Sequence, residues 1–387
     1  VLHGLIERLG SFDIFTLEEL KEFSNRISKA QATKKHLAAN APASPGVYIF
    51  RDKKGDPLYV GTSKNLRSRV RTYFTANETR KRIREMITIT ESIDFIITPT
   101  ALEAQVRELR LIQGASPRYN RRSRFPERVA WIKLTDENFP RLIVSKGAPV
   151  DPSGVIGPIS GGNAIESTLE AIHDYFPLRQ CKPKITDKSI KTAAPCILFE
   201  INRCAAPCIG NQSVTAYSEI TARYKNLLEV DFRDFFNSTN QRMVQLSLEE
   251  KFEDAINVRD KYAHFNRAAS RIERLNSIAK LPELIVARPS GEHWEFVSIR
   301  YGRLAATNVS TPTTSVAVAL DALQIMAEQV TDSGFLQQVN HEEVELLLNY
   351  LAQPGLRLVR VEGEYAFATF GPTSQSFRTG RYEFASA

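Results

Sequence analysis

The sequence predicts an α+β multidomain chain, on three observations. Its 387 residues exceed what one hydrophobic core supports, so several domains of roughly 50–200 residues each are expected. Short apolar runs joined by Gly- and Asp-containing turns alternate with helical spacing between 46 and 180, and recur after 281. Between these stretches, residues 215–280 hold neither Gly nor Pro, as long helices require.

In chain order, residues 1–40 mix helical spacing with an Ala- and Lys-containing tail that offers no evident core, and read as a helical linker. The chain begins at Val1 rather than Met, which is expected of processing or of a piece of a longer polypeptide. "PASPG" then punctuates the backbone. Over 41–125, strands are predicted at 46–51 and 57–61 around the turn "DKKGDP". "SKNLRSRVRTYF" places Leu66, Val70 and Phe74 at four-residue spacing, a basic amphipathic helix with Ser63 as its cap. A strand "SIDFIITP" precedes the helix "TALEAQVRELRLIQG", whose apolar stripe ends at Gly114. The expected order is strand, strand, helix, helix, strand, helix.

Residues 126–180 read as an α/β connecting region with the turn "GPISGG" before the helix "AIESTLEAIHDYF". These glycines lack the strand-to-helix Gly-x-Gly-x-x-Gly pattern of a nucleotide loop. A cysteine-rich region, 181–214, leads into a helical hairpin over 215–280. The last region, 281–387, reads as an α/β unit of unassigned role: an antiparallel meander, helices near 316–329 and 341–352, and a final strand pair.

Charge is unevenly distributed. Residues 51–130 hold 18 Lys and Arg against 9 Asp and Glu, whereas 281–387 hold 7 Arg, no Lys and 12 acids. A basic stripe of that kind suits a phosphate backbone; a solvated basic face is the plainer alternative. Arg67, Arg71, Arg121 and Arg122 are the candidate DNA contacts. No stretch approaches the roughly 20 apolar residues that span a bilayer, and no basic-then-apolar leader opens the sequence. A cytoplasmic protein without membrane contact is expected.

All four cysteines, Cys181, Cys196, Cys204 and Cys208, fall within one short segment and are separated by 14, 7 and 3 residues. Disulfides are rare in the cytosol, so thiolate ligation of a metal centre is the better account. The missing C-x-x-C knuckles favour an iron–sulfur cluster over structural zinc, which stays open, as do free thiols.

Tyr48 and Tyr59 alternate along the hairpin, Arg69 follows on the next helix, and Glu108 precedes Asn120. One carboxylate can hold one Mg²⁺ or Mn²⁺ if waters and a substrate phosphate complete the shell. The metal then polarises the phosphoryl oxygen, and Arg69 offsets charge building on phosphorus. Tyrosine, with an ordinary pKa of about 10, is a poor base unless a neighbouring cation lowers it. The plain alternative is hairpin aromatics and a surface acid.

"GVY", "YVG", "LRSRVRTYF", "EAQVRE" and "PRYN" together resemble the GIY-YIG nuclease family, in its UvrC/Cho excision-repair form. "YFPLRQC", "APCILFEINRCAAPCIG" and "LEEKFEDAINVRDK" extend the resemblance over roughly 41–275. It implies a three-stranded antiparallel sheet with flanking helices, and metal-dependent incision of one strand of damaged duplex DNA in nucleotide excision repair. Tyr48 and Tyr59 match the motif tyrosines, Tyr73 a further site aromatic, Arg69 the phosphate-binding arginine, Glu108 the metal ligand and Asn120 the closing asparagine. The four cysteines match ligands of a 4Fe-4S cluster. The hairpin matches the UVR element that docks a UvrB-like partner, here through Phe252, Ala255 and Arg259. Two departures stand out. Thr62 replaces the Lys usual after the second glycine, and 281–387 shows neither the RNase H-like nuclease nor the helix-hairpin-helix pair of full-length relatives. The first departure supports a rival reading, a catalytically silent DNA-binding adaptor. A recombination or mobile-element nuclease is disfavoured by the cysteines and the hairpin. Segments of this type also follow DEDD-type exonucleases, so an exonuclease domain N-terminal to this chain is an expected partner.

Overall fold

The computed structural model describes residue 16 and residues 28–124, 129–147, 149, 153–190, 194–229, 233–311, 313–331 and 340–365. The predicted linker up to residue 27, Thr16 apart, and any strand after 365 lie outside the described residues. The first described helix, α1 (Lys29–Lys34), opens on a capping box at Ser28 and continues as a 3₁₀ turn, Lys35–Ala38. It does not stand off as a linker. Gln31 is buried and donates to the Tyr73 carbonyl at 2.9 Å, and Ala38 joins the neighbouring core.

A three-stranded antiparallel sheet follows, with β1 (Gly46–Arg51) central, β2 (Pro57–Ser63) on one edge and β3 (Ser92–Ile97) on the other. In the β1–β2 register Tyr48 faces Gly61 and Phe50 faces Tyr59, which sets the aromatic rings on one side of the sheet. That side is covered by α2 (Leu66–Thr72) and α3 (Lys81–Ile89), whose Leu66, Val70, Met86 and Ile87 pack with Tyr48 and Phe50. The other side carries Val47, Ile49 and Val60 against Ala104 and Ile112 of α4 (Ala101–Ala115). Two local expectations are corrected. The α2 cap is Asn65, whose side chain accepts from Ser68 N, because Ser63 still belongs to β2. Helix α4 runs through Gly114 and closes at Ser116, which takes the left-handed conformation (φ 45°).

The middle of the chain is a second three-stranded sheet, β4 (Ala130–Leu134), β5 (Leu142–Ser145) and β6 (Ile156–Ile159), in the order β5-β4-β6, followed by α5 (Gly162–Tyr175). Thus Gly157 and Pro158 of the expected turn lie in a strand. Short helices α6 (Asp187–Ile190) and α7 (Ile197–Glu200) lead through the cysteine segment. The expected hairpin is three helices, α8 (Val214–Glu229), α9 (Arg233–Leu248) and α10 (Phe252–Ala279). Helix α8 is not part of the hairpin because its Tyr217, Tyr224 and Leu227 are absorbed by the middle core with Ile156 and Phe176.

At 28 residues, α10 is roughly 42 Å long and joins two cores. Its Tyr262, Phe265 and Ala269 pack in the middle core, and its Leu275 and Ile278 in the next. The C-terminal unit is a four-stranded antiparallel sheet of β7 (Glu283–Ser290), β8 (His293–Arg300), β9 (Arg303–Val309) and β10 (Arg357–Glu362), in the order β10-β7-β8-β9. Helices α11 (Val316–Met326) and α12 (His341–Leu351) complete it. Leu102 and Val106 of α4 are buried in the core of this unit with Val297, Leu304, Val344 and Leu347. The nuclease-like and C-terminal units therefore share the helix that carries Glu108. No described helix is long and apolar enough to cross a membrane.

Candidate nuclease site

The two glycines of the signature runs are required by close approach. A Cβ on Gly61 would stand 2.4 Å from Tyr48 Oη, and one on Gly46 would stand 2.2 Å from the Ile96 carbonyl oxygen. The hydroxyl end of the Tyr48 ring fills the place that a side chain at Gly61 would take. Its hydroxyl then meets that of Tyr73, at the end of α2, at 2.7 Å. Tyr59 completes the aromatic set, its ring centre 6.2 Å from Tyr48 and 6.3 Å from Tyr73. The Arg69 guanidinium sits 5.3 Å from the Tyr73 ring centre.

Burial, with Tyr59 close by, pushes the Tyr48 hydroxyl up to about 12, outweighing Arg69 and the Tyr73 hydrogen bond. Burial raises Tyr59 and Tyr73 as well. The tyrosines of this site are neutral donors and acceptors at neutral pH, not preformed bases. Tyr73, expected as an accessory aromatic, is bonded directly into the set.

Because β2 is an edge strand, its outer N–H and C=O groups need partners. Asn120 supplies them: its Oδ1 accepts from Val60 N at 2.9 Å and its Nδ2 donates to Val60 O at 2.8 Å. Tyr119 N donates to Leu58 O at 2.9 Å beside it. The side-chain amide thus acts as a piece of a fourth strand and fixes β2 between Tyr59 and Gly61.

Along this edge runs a cleft of about 1050 Å³. Tyr59, Thr62, Glu108 and Asn120 line it, with Arg80, Lys81, Arg82, Arg121 and Arg122 around them. Arg67 and Arg71 are exposed on α2 and are not among its lining residues. Burial pushes the Glu108 carboxyl above the ordinary carboxylate range, and the hydrogen bond donated by Thr62 Oγ1 at 3.2 Å only partly offsets this. Among the described residues no Lys or Arg offsets the burial of Glu108. A half-buried carboxylate with no ion pair among the described residues, facing a basic cleft, fits a divalent cation as its partner.

Several lining residues were not anticipated. Arg80, Lys81 and Arg82 had a signal, the run "RKRIR" within the basic stretch. Glu342, Glu345 and Asn349 of α12 also line the cleft; nothing local in an acidic C-terminal segment marks them. Thr62, expected only as a lost cation, is the hydrogen-bond partner of Glu108.

The four cysteines line a separate pocket of about 220 Å³ with Arg179, Ile185 and Leu198. Cys204 is buried, and Arg179, fully buried itself, donates to Cys181 Sγ at 3.3 Å. Among the described residues no three His, Cys, Asp or Glu side chains converge closely enough to hold one metal ion. At the α9–α10 tip, Phe252 is 60% and Leu248 76% exposed, with Val244 and Ile256 also exposed; Ala255 is half-buried, and Arg259 pairs with Asp260 at 2.7 Å.

The family model for the UvrC-like GIY-YIG domain matches residues 44–121, and that for the UvrC/Cho excinuclease middle domain matches 129–226. A Mycobacterium tuberculosis protein named as a bifunctional exonuclease/endonuclease is 35% identical over 370 residues, covering 95% of this chain and 57% of that one. The UvrABC system protein C of Clostridium acetobutylicum is 33% identical over 224 residues, 57% of this chain and 36% of that one. The chain thus spans about half or less of the length of these relatives. Among solved structures, the magnesium-bound GIY-YIG N-terminal endonuclease domain of UvrC from Thermotoga maritima is 30% identical, covering 24% of this chain and all of that one, with a TM-score of 0.21.

Proposed function

Given that the chain carries a UvrC-like GIY-YIG domain followed by a UvrC/Cho middle domain, we propose that it is a metal-dependent endonuclease that incises one DNA strand in nucleotide excision repair. The observation that carries this reading is the convergence, in one basic cleft, of Tyr59, Asn120 and a half-buried Glu108 that has no ion pair among the described residues. Glu108 would hold one Mg²⁺ or Mn²⁺, which supplies charge stabilisation to the phosphoryl and leaving oxygens. Thr62 orients the carboxylate through its hydroxyl. Arg69 and the rim arginines bind and orient the backbone phosphates. Tyr59, which lines the cleft, would hold the attacking water by a hydrogen bond, and Tyr48 and Tyr73, buried behind it, would keep its ring in place. Hydrolysis adds that water across one P–O bond, and the departing sugar oxygen takes up a proton.

The cysteine pocket supports a 4Fe-4S cluster over zinc. The four cysteines line one pocket, and their spacing of 14, 7 and 3 residues lacks the paired C-x-x-C knuckles usual for zinc. The exposed apolar tip of α9–α10 supports docking of a UvrB-like partner through Phe252. An exonuclease unit acting with this chain accords with the name of the mycobacterial relative.

The test incubates the pure chain with Mg²⁺ or Mn²⁺ and a damaged duplex, with and without UvrB. Nicking is expected in the wild type and is expected to fall by about 10³-fold or more in Glu108→Gln, the scale of several kcal/mol of lost transition-state stabilisation, with DNA binding retained. Phe252→Ser should abolish only the UvrB-dependent part. The second reading, a silent adaptor, rests on Thr62 in place of a cation. It prevails if neither the wild type nor Thr62→Lys nicks while both bind DNA and UvrB.

A further inference from the structure

The helix that carries Glu108 is held by the C-terminal unit, which neither matched family model covers and whose α12 also lines the cleft. Arg110, two residues on, forms a two-pronged ion pair with Glu343 of α12: Nε donates to Oε2 at 3.0 Å and Nη2 to Oε1 at 2.7 Å. The Glu343 side chain is only 3% exposed. The pair is tied into β9 as well, since Leu304 N donates to Glu343 Oε1 at 2.9 Å and Arg110 Nη2 donates to Leu304 O at 3.0 Å. One turn further, Gln113 donates to Glu342 at 3.3 Å. Leu102 and Val106, with a hydrogen bond from Thr307 Oγ1 to Glu103, hold the first half of α4, and the forked ion pair falls on the half that presents Glu108.

We propose that Arg110 and Glu343 are positioning residues of the nuclease site, their ion pair fixing α4 so that Glu108 faces the cleft in metal-binding geometry. The inference rests on the reading of Glu108 as metal ligand. An apolar contact would let α4 slide or roll at little cost. A forked pair anchored to a strand backbone permits one register, because a buried charge displaced from its partner is left uncompensated. Outer partners of metal ligands typically alter metal affinity by about 10- to 100-fold.

The experiment uses the full chain. Arg110→Lys keeps the charge and loses the fork. Arg110→Met with Glu343→Leu removes both charges together, which keeps the fold where a single change would strand a buried carboxylate. Three quantities are measured: the Mn²⁺ concentration for half-maximal nicking, Mn²⁺ binding without DNA by electron paramagnetic resonance, and amide exchange over 105–115 without metal. Both variants should need about tenfold or more Mn²⁺, recover most of the nicking at saturation, bind DNA normally in EDTA, and exchange faster over 105–115. A destabilised but correctly positioned helix would not move the metal dependence. Folded variants with wild-type metal dependence and exchange overturn the proposal while leaving an active nuclease. A wild type that neither binds Mn²⁺ nor nicks defeats the nuclease reading, and the positioning role with it.

Discussion

At the residue scale, the site depends on what is missing at position 61. Gly61→Ala puts a methyl 2.4 Å from Tyr48 Oη and 2.5 Å from its Cζ, an overpacking that costs about 1–3 kcal/mol. Tyr48→Phe should not rescue it, because the ring carbon remains in the way; thermal unfolding of the single and double variants checks this. Glu108 gives a second expectation, of opposite sign for stability and for cutting. Burial raises its pKa in the folded chain, so the folded state holds its proton more tightly than the unfolded state. Without metal, stability is therefore higher on the acid side and is lost as pH rises from the ordinary carboxylate range through the raised value. Nicking at sub-saturating Mg²⁺ should rise over that same interval, because metal needs the ionised form. Glu108→Gln should flatten this part of the stability profile. Tyr48, Tyr59, Arg69, Glu108 and Asn120 could be singled out in the sequence because the short runs "GVY", "YVG", "LRSRVRTYF", "EAQVRE" and "PRYN" resemble a known nuclease family. Their contacts could not: that Asn120 braces Val60 and Thr62 bonds Glu108 depends on residues 46 to 60 positions apart.

At the scale of elements, the hairpin β1–β2 and the order of strands and helices through α4 followed from period-two and four-residue patterns, which are local properties. The three helices where two were expected show the limit of that reading. Freedom from Gly and Pro marks helix but not where α8 leaves for another core, a choice made by Tyr217 and Tyr224 packing on Ile156 and Phe176. The cysteine segment is held mainly by its surroundings, since α6 and α7 have four residues each, too few for independent helices. If it encloses an iron–sulfur cluster, anaerobically purified protein should absorb broadly in the visible. Cys204→Ser should then bleach that band and lower the melting temperature together, because ligand binding there is part of folding. A colourless protein with one zinc per chain would overturn the cluster.

At the scale of the whole molecule, three cores are linked by two shared helices: α10 joins the middle core to the C-terminal one, and α4 joins the C-terminal core to the nuclease sheet. The charge map of the sequence separated a basic region from an acidic one. The fold brings them together, setting Glu342 and Glu345 across one cleft from Arg80, Lys81 and Arg82. Ending the chain at residue 280 separates these contributions. Leu102, Val106, Leu275 and Ile278 would lose their partners. At about 1.5–3 kcal/mol for each fully buried apolar side chain, that is a large share of a domain stability of about 5–15 kcal/mol. The basic rim, carried by 80–82 and 121–122, remains. The salt dependence of DNA binding, set by the number of phosphates neutralised, should therefore stay close to that of the full chain, provided it is measured below the lowered melting temperature. Nicking should not survive to the same extent, because α4 has lost Glu343 and Leu304 as anchors. Arg121→Ala with Arg122→Ala in the full chain should do the reverse, reducing the salt slope by about 2, at roughly 0.9 per lost phosphate contact, without changing the Mn²⁺ requirement. A truncated chain that cuts as well as the full one would show that the C-terminal unit contributes nothing to the site beyond its presence beside it.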